Sequence, residues 1–135
     1  MSPFFVPRSS FTIHIPETGP TGHLFVILTE TCAAGNNLVV PVNTIRGVYD
    51  NACVLGVGDH PFINTPSYVA YRHLDILLAD DIKSKVRNGV IDYKGILDDR
   101  VFAMVCAGVE RSDQAAPKYQ RYFRDQIALL RTRPA

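Results

Sequence analysis

The stretch GHLFVILTETCAAGNNLVVPVNT, residues 22–44, decides the fold prediction. It holds two apolar runs, His23–Leu28 and Leu38–Val42, joined by a polar connection that contains Gly35, Asn36 and Asn37. Apolar runs of this length, bounded by turn residues, are typical of buried β-strands. We therefore expect a hairpin at the heart of the fold, with its first strand in the middle of a sheet.

Short strands are also predicted on both sides of this hairpin. Phe11–Ile15 alternates between apolar and polar residues, as a half-buried strand does. Ile45–Tyr49 and Cys53–Val57 flank the turn Asp50-Asn51, and Tyr71–Leu78 alternates again. In that last strand we expect Leu74, Ile76 and Leu78 on one face and Tyr71, His73 and Asp75 on the other.

After this strand, the spacing of apolar residues changes from that of a strand to that of a helix. Asp92 is placed to cap a helix, whose apolar positions recur at helical spacing: Leu97, Val101, Met104, Val105 and Gly108. Pro117 suits the first position of a last helix, with an apolar stripe of Tyr119, Tyr122, Phe123, Ile127 and Leu130. Many short strands followed by helices predict a mainly β protein, a small barrel of five to seven strands with C-terminal helices.

Composition and charge set further limits. The chain has 135 residues and a net charge of +1, which fits one domain and gives no global attraction to nucleic acid or membrane. Residues 1–110 carry 8 basic and 11 acidic residues, a net of −3, whereas residues 111–135 carry 6 and 2, a net of +4. We therefore expect a loose arm over 1–10, a barrel with a packed helix over 11–110, and a basic linker and amphipathic helix over 111–135.

Cysteines and apolar runs bear on location and cofactors. The three cysteines lie far apart without zinc spacing, so we expect a cytoplasmic protein without metal or cofactor. The longest apolar run, Val101–Val109, is about half a membrane span, and Met1–Arg8 has no signal-peptide pattern. The pairs Asp80-Asp81 and Asp98-Asp99 are expected to be surface or helix-start charges rather than metal ligands.

The order of these segments resembles the MazF/PemK (Kid) toxin family over about residues 20–109. The apolar strand Gly22–Thr29 and the proline-containing strand Leu38–Thr44 correspond to the family's first two strand motifs. The resemblance implies an SH3-like barrel that forms a homodimer, cleaves single-stranded RNA without metal and pairs with an antitoxin. The sequence departs from the family where an arginine followed by proline is usual, because His23 and Leu24 stand there.

Metal-free RNA cleavage needs a base for the 2′-hydroxyl, a cation for the phosphate and an acid for the leaving oxygen. Histidine suits the proton transfers, and the chain has His14, His23, His60 and His73. The predicted catalytic residues are His23 at a strand start, His60 in the loop Gly58–Pro61, and, at the phosphate, Arg46 or Thr44. Arg72 is the alternative source of the guanidinium. If the strand register slips by one residue, Asn43 replaces Thr44.

Predicted substrate contacts come from aromatic and polar residues nearby. Tyr68 and Tyr71 are placed to stack on bases, and Asp75 is placed to orient His73. Each of these residues also has a structural interpretation, as a turn residue or part of a solvated strand face. The departure at His23 and the basic last helix favour a second function, a non-catalytic barrel that binds protein or nucleic acid.

Overall fold

The computed structural model describes residues 7–13 and 23–131 of the chain. His14, the predicted loop over 16–22 and most of the predicted N-terminal arm lie outside the described residues. Within them, the first strand begins at Ser9 rather than at Phe11, so the arm does not extend to residue 10. Both Ser9 and Ser10 are buried.

The described residues form seven strands in one antiparallel sheet. The strands are β1 Ser9–Ile13, β2 His23–Ile27, β3 Asn36–Thr44, β4 Val54–Leu55, β5 Ser67–Val69, β6 Asp75–Leu78 and β7 Ile91–Ile96. Their order is β4-β5-β3-β2-β1-β7, with β6 also paired to β3. The predicted hairpin of β2 and β3 is confirmed and central, but β4 and β7 stand at opposite ends of the order and the sheet is not closed into a barrel.

The predicted strand over 71–78 is wrong in its first half. Tyr71–His73 form a 3₁₀ turn, in which the His73 amide donates to the Ala70 carbonyl at 3.0 Å. Only Asp75–Leu78 pairs with β3, along its first half, while β5 pairs with its second half. The 3₁₀ turn interrupts the strand and places the Tyr71 ring in the core. The free energy gained by burying this large aromatic ring outweighs the preference of the alternating sequence for a longer strand.

The predicted strand Ile45–Tyr49 is also wrong. The Ile45 amide still donates to the Pro66 carbonyl at 3.0 Å, but the chain then leaves the sheet. Gly47 has φ +69°, a left-handed conformation that ends an extended strand. The next predicted strand, Cys53–Val57, is confirmed in a shorter form as β4.

In the described part of the chain, three α-helices follow or interrupt the later strands. They are α1 Ala79–Arg87, α2 Asp99–Arg111 and α3 Pro117–Arg131. The cap of α2 is Asp98, whose carboxylate accepts from the Val101 amide at 2.8 Å, and not Asp92, which lies in β7. Helix α3 begins at Pro117 as predicted. Helix α1 was not predicted, although Asp80-Asp81 in its first turn confirms the helix-start interpretation of that pair.

The sheet has apolar residues on both faces. Leu24, Val26, Val40 and Val42 belong to the larger core with residues of α2 and α3, including Phe123. The opposite face carries a smaller cluster in which α1 covers part of the sheet: Phe11, Ile27, Val39, Ala79, Ile82 and Ile91. Among the helices that the structure describes, none combines the length and apolar character needed to span a bilayer.

Candidate functional site

The candidate site lies where α1 stops covering the sheet. Ile27 and Val39 lie beneath α1, but the same face continues along β2 and β3 to His23 and Asn43. The register pairs Leu24 with Val42, and one further step brings His23 opposite Asn43. Asn43 pairs in turn with Tyr68 of β5. Because directly paired residues point to the same side, His23, Asn43 and Tyr68 form one row across three strands.

A groove of about 810 Å³ opens at this end of the sheet, and we call it the strand-end groove. It is lined by four of the predicted site residues, His23, Thr44, Arg46 and Tyr68. Three of the four are exposed and Tyr68 is half-buried. The structure therefore brings together half of the eight predicted site residues in one place.

Aromatic rings and polar groups form the rim of the strand-end groove. The ring centroids of Tyr68 and Tyr49 are 5.6 Å apart, and the two rings are tilted relative to each other. Across the groove, Phe62 is exposed, and the Lys94 ammonium lies 5.9 Å from its ring centroid. The hydroxyls of Thr44 and Thr65 are 3.5 Å apart. The groove thus offers flat aromatic surfaces close to hydroxyl groups and a guanidinium.

A second groove of about 360 Å³ adjoins the first, and we call it the side groove. His23 and Asn43 line both grooves. The remaining polar residues of the side groove are His73, Asp75 and Lys85. Six of the eight predicted residues therefore line one or both of two adjoining grooves, which share His23 and Asn43.

His60 does not line either groove, contrary to its predicted catalytic role. Its side chain is buried, with 4% exposure. Nδ1 accepts a hydrogen bond from the Phe62 amide at 2.9 Å, so the proton of the neutral ring is on Nε2, which lies 2.9 Å from the Ser10 hydroxyl. Burial lowers the pKa of His60. A neutral ring with both nitrogens engaged is a structural group, and it holds the loop that carries Phe62.

Asp59, the neighbour of His60, has a structural role in the same loop. Its carboxylate accepts from the Gly56 amide at 2.8 Å and pairs with Arg100 at 2.6 Å. The Gly56 amide and then the Arg100 guanidinium lower the pKa of Asp59. This anchor fixes the start of the segment whose later residues form one wall of the strand-end groove.

Tyr71 is not available to a substrate in this structure. Its side chain has 0% exposure, and its hydroxyl donates to the Val105 carbonyl of α2 at 2.6 Å. Burial raises its pKa far above the ordinary value, so the hydroxyl keeps its proton. The predicted stacking role of Tyr71 is therefore corrected: the side chain joins the 3₁₀ turn to α2.

His73 and Asp75 both line the side groove, but they do not form the predicted pair. Arg72 Nε donates to Nε2 of His73 at 3.2 Å. The Asp75 carboxylate accepts from the Ile76 amide at 2.8 Å and lies 3.5 Å from the Tyr119 hydroxyl. The pair fails because His73 belongs to the 3₁₀ turn and only Asp75 belongs to β6.

Several groove residues were outside the predicted site, among them Asn43, Phe62 and Lys85. Asn43 entered only as the register alternative to Thr44, yet its place in the row is central. Phe62 could have been found from its position next to the loop of His60, since exposed aromatic loop residues often bind ligands. Lys85 gave no signal, because the helix that carries it was not predicted.

Over 7–13 and 23–131, no group of three or more His, Cys, Asp and Glu side chains is arranged to hold a metal ion.

No protein-family model matches the chain, and no curated protein matches it. The resemblance to the MazF/PemK family therefore rests on the segment order and the two strand motifs quoted from the sequence.

Proposed function

We propose that the protein is a MazF/PemK-like toxin, a metal-independent endoribonuclease that cleaves single-stranded RNA in the strand-end groove. The observation that carries the proposal is that His23, Thr44, Arg46 and Tyr68 line this one groove. An imidazole, a guanidinium, a hydroxyl and an aromatic ring are the groups that such cleavage and substrate binding need.

The residues that line the groove suit a single strand better than a duplex. Proteins recognise single-stranded RNA by stacking unpaired bases on aromatic rings and by binding the backbone through cations. Tyr68 and Phe62 supply the rings, and Arg46 supplies a cation that matches phosphate geometry. An exposed Tyr49 beside Tyr68 extends the stacking surface along the rim.

The chemistry follows from the side chains in the groove. His23 takes the proton of the 2′-hydroxyl, and the 2′-oxygen attacks the neighbouring phosphorus. Arg46 and the Thr44 hydroxyl stabilise the negative charge that grows on the phosphate oxygens. The bond from phosphorus to the 5′-oxygen breaks, and this oxygen takes a proton from water in the open groove. The products are a 2′,3′-cyclic phosphate and a 5′-hydroxyl.

The remaining family features belong to the same proposal. The small antiparallel sheet would correspond to an SH3-like barrel that is left open between β4 and β7. As in the family, the protein would act in the cytoplasm as a homodimer, and an antitoxin protein would bind it. Occupation of the strand-end groove by the antitoxin would block RNA.

The test is cleavage of a generic single-stranded RNA in the presence of EDTA. We expect the wild type to leave cyclic-phosphate ends, and His23→Ala to lower the rate by about 100-fold or more. Arg121→Ala, on the exposed side of α3, serves as the matched control and keeps the wild-type rate. Lack of cleavage by the wild type, or equal rates for His23→Ala and the wild type, would contradict the proposal.

A second function is favoured by one specific observation. Of the described residues that line the strand-end groove, His23 is the one histidine, because His60 lies in the core. A groove with a single imidazole also suits a module that binds single-stranded nucleic acid without cutting it. That function predicts binding whose affinity falls steeply with salt, together with intact RNA after prolonged incubation.

A further inference from the structure

We propose that the side groove is a second nucleotide subsite that prefers a base with an exocyclic amino group, cytosine over uracil, and holds its phosphate at Lys85. The inference rests on the proposed function in one respect, namely that a nucleic acid strand occupies the strand-end groove. It adds a binding site, a base preference and two residues, Asp75 and Lys85, to that function.

The two grooves adjoin at His23 and Asn43, which line both. A strand with its reacting phosphate at His23 therefore has the side groove as a neighbouring site for a second nucleotide. The side groove measures about 360 Å³, which lies within the roughly 300–1,000 Å³ of ligand pockets and at the small end, as one nucleotide requires.

The floor of the side groove is apolar and firmly supported. Phe25, Pro41 and Leu77 line it. The Phe25 ring is stacked on the buried Phe11 ring, with centroids 5.5 Å apart and planes 8° from parallel. A flat base can lie against such a floor without rearrangement of the core, because stacking depends on a fixed flat surface and little on sequence.

Lys85 lies at the rim as a consequence of how α1 is anchored. Ile82 is buried with 1% exposure, and it holds the helix on the sheet beside Val39. Lys85 follows three residues later and lines the groove. An ammonium at the open rim, with an apolar floor beneath, is placed for a backbone phosphate while the base points inward.

Asp75 supplies the base preference. Its carboxylate is oriented by the Ile76 amide, which donates to Oδ1 at 2.8 Å. An ionised carboxylate has about four acceptor positions, so it can still accept from a ligand. The exocyclic amino group of cytosine donates to such an acceptor, whereas uracil presents a carbonyl oxygen at the same place and is repelled.

The experiment measures binding of oligo(dC) and oligo(dU) of equal length to the full chain. The 2′-deoxy strands lack the attacking hydroxyl, so binding is read without cleavage. We expect Asp75→Asn to weaken oligo(dC) binding roughly tenfold and to strengthen oligo(dU) binding, because the carboxylate no longer repels the uracil oxygen. Lys85→Gln should weaken both, and the slope of log affinity against log salt should fall by about 0.7, the value for one phosphate contact of a single strand.

Lys83→Gln is the matched control, since it makes the same charge change on the same helix and Lys83 does not line the groove. The subsite is overturned if Lys85→Gln and Lys83→Gln behave alike, or if Asp75→Asn changes both oligonucleotides equally. Cleaved RNA together with either of these outcomes leaves the proposed function standing and removes the subsite. If the expected binding differences are found but RNA stays uncut, the subsite stands and the proposed cleavage activity is contradicted.

Discussion

His60 shows at the scale of one residue how a polar loop histidine becomes part of the core. The Nε2–H lies 2.9 Å from the Ser10 hydroxyl, and that hydroxyl donates to the Gly95 carbonyl at 2.7 Å. This chain of bonds joins the loop to β1 and β7. Every polar atom of the ring is satisfied in its neutral form, which is how a buried polar side chain avoids a desolvation cost.

The first prediction concerns pH and stability. Burial lowers the pKa of His60 below its ordinary value of 6.5, so the unfolded chain takes up the proton first as the pH falls. The buried, neutral His60 ring therefore contributes fully to the free energy of unfolding above about pH 6.5. This contribution is lost as the pH falls toward the lower pKa of the folded state. Urea unfolding between pH 7.5 and about pH 5 should show this loss in the wild type and a weaker one in His60→Asn.

Ser10→Ala provides the control for that measurement. It removes the partner of Nε2 but leaves the imidazole buried, so the protein is less stable by about 1–3 kcal/mol and keeps the pH dependence. If His60→Asn loses as much stability as the wild type over the same pH interval, another group is responsible.

At the scale of elements, the contact between the 3₁₀ turn and α2 depends on Gly108. A Cβ built at Gly108 would lie 1.9 Å from the Tyr71 hydroxyl and 2.4 Å from Cζ. Gly to Ala inside a helix usually stabilises by about 1 kcal/mol, but overpacking a rigid core costs about 1–3 kcal/mol. Since the Tyr71 ring is fully buried and cannot move aside, the overpacking cost exceeds the gain in helix propensity.

The second prediction follows from that contact. Gly108→Ala should lower the free energy of unfolding by up to about 2 kcal/mol, which is the overpacking cost less the gain in helix propensity. The shorter side chain of Tyr71→Leu leaves room for the added methyl group, so the double variant should lose less stability than the two single changes added together. Additive losses in urea unfolding would show that the alanine is accommodated in another way.

The same elements show what could be predicted from the sequence. The β2–β3 hairpin and the start of α3 carry strong local signals, which are two apolar runs around a turn and a proline at a helix start. The 3₁₀ turn at Tyr71–His73 has no such signal, because it forms to bury one ring against α2. Helix α1 is short, and Ile82 and Val86 are too few to mark its period.

The candidate site divides in a similar way. His23 and Thr44 lie at the end of a predicted strand or just beyond one, and strand pairing brings such ends together. Tyr68 lies in β5, which was not predicted, and Arg46 lies in a predicted strand that the structure does not form. His60 and Tyr71 carry the same chemistry in the sequence but point into the core. Whether a polar side chain faces a groove or the interior depends on long-range packing, which a local pattern does not contain.

At the scale of the whole molecule, the basic helix α3 is part of the folded body. The side chain of Phe123 is 7% exposed and belongs to the core formed with β2, β3 and α2. Gln120 donates to the Val109 carbonyl at 2.9 Å, and Arg124 pairs with Glu110 at 2.9 Å. Helix α3 therefore contributes to the same core, and its positive charge lies on the side that remains exposed.

The last prediction tests this single folding unit. Phe123→Ala removes a buried ring and should lower the free energy of unfolding by about 3–5 kcal/mol, whereas Arg121→Ala should change it by less than about 0.5 kcal/mol. Because α3 shares the core with the sheet, far-ultraviolet circular dichroism and tyrosine fluorescence should follow one common unfolding transition in both variants. Two separate transitions, or a small effect of Phe123→Ala, would instead describe a helix attached to an independently stable sheet.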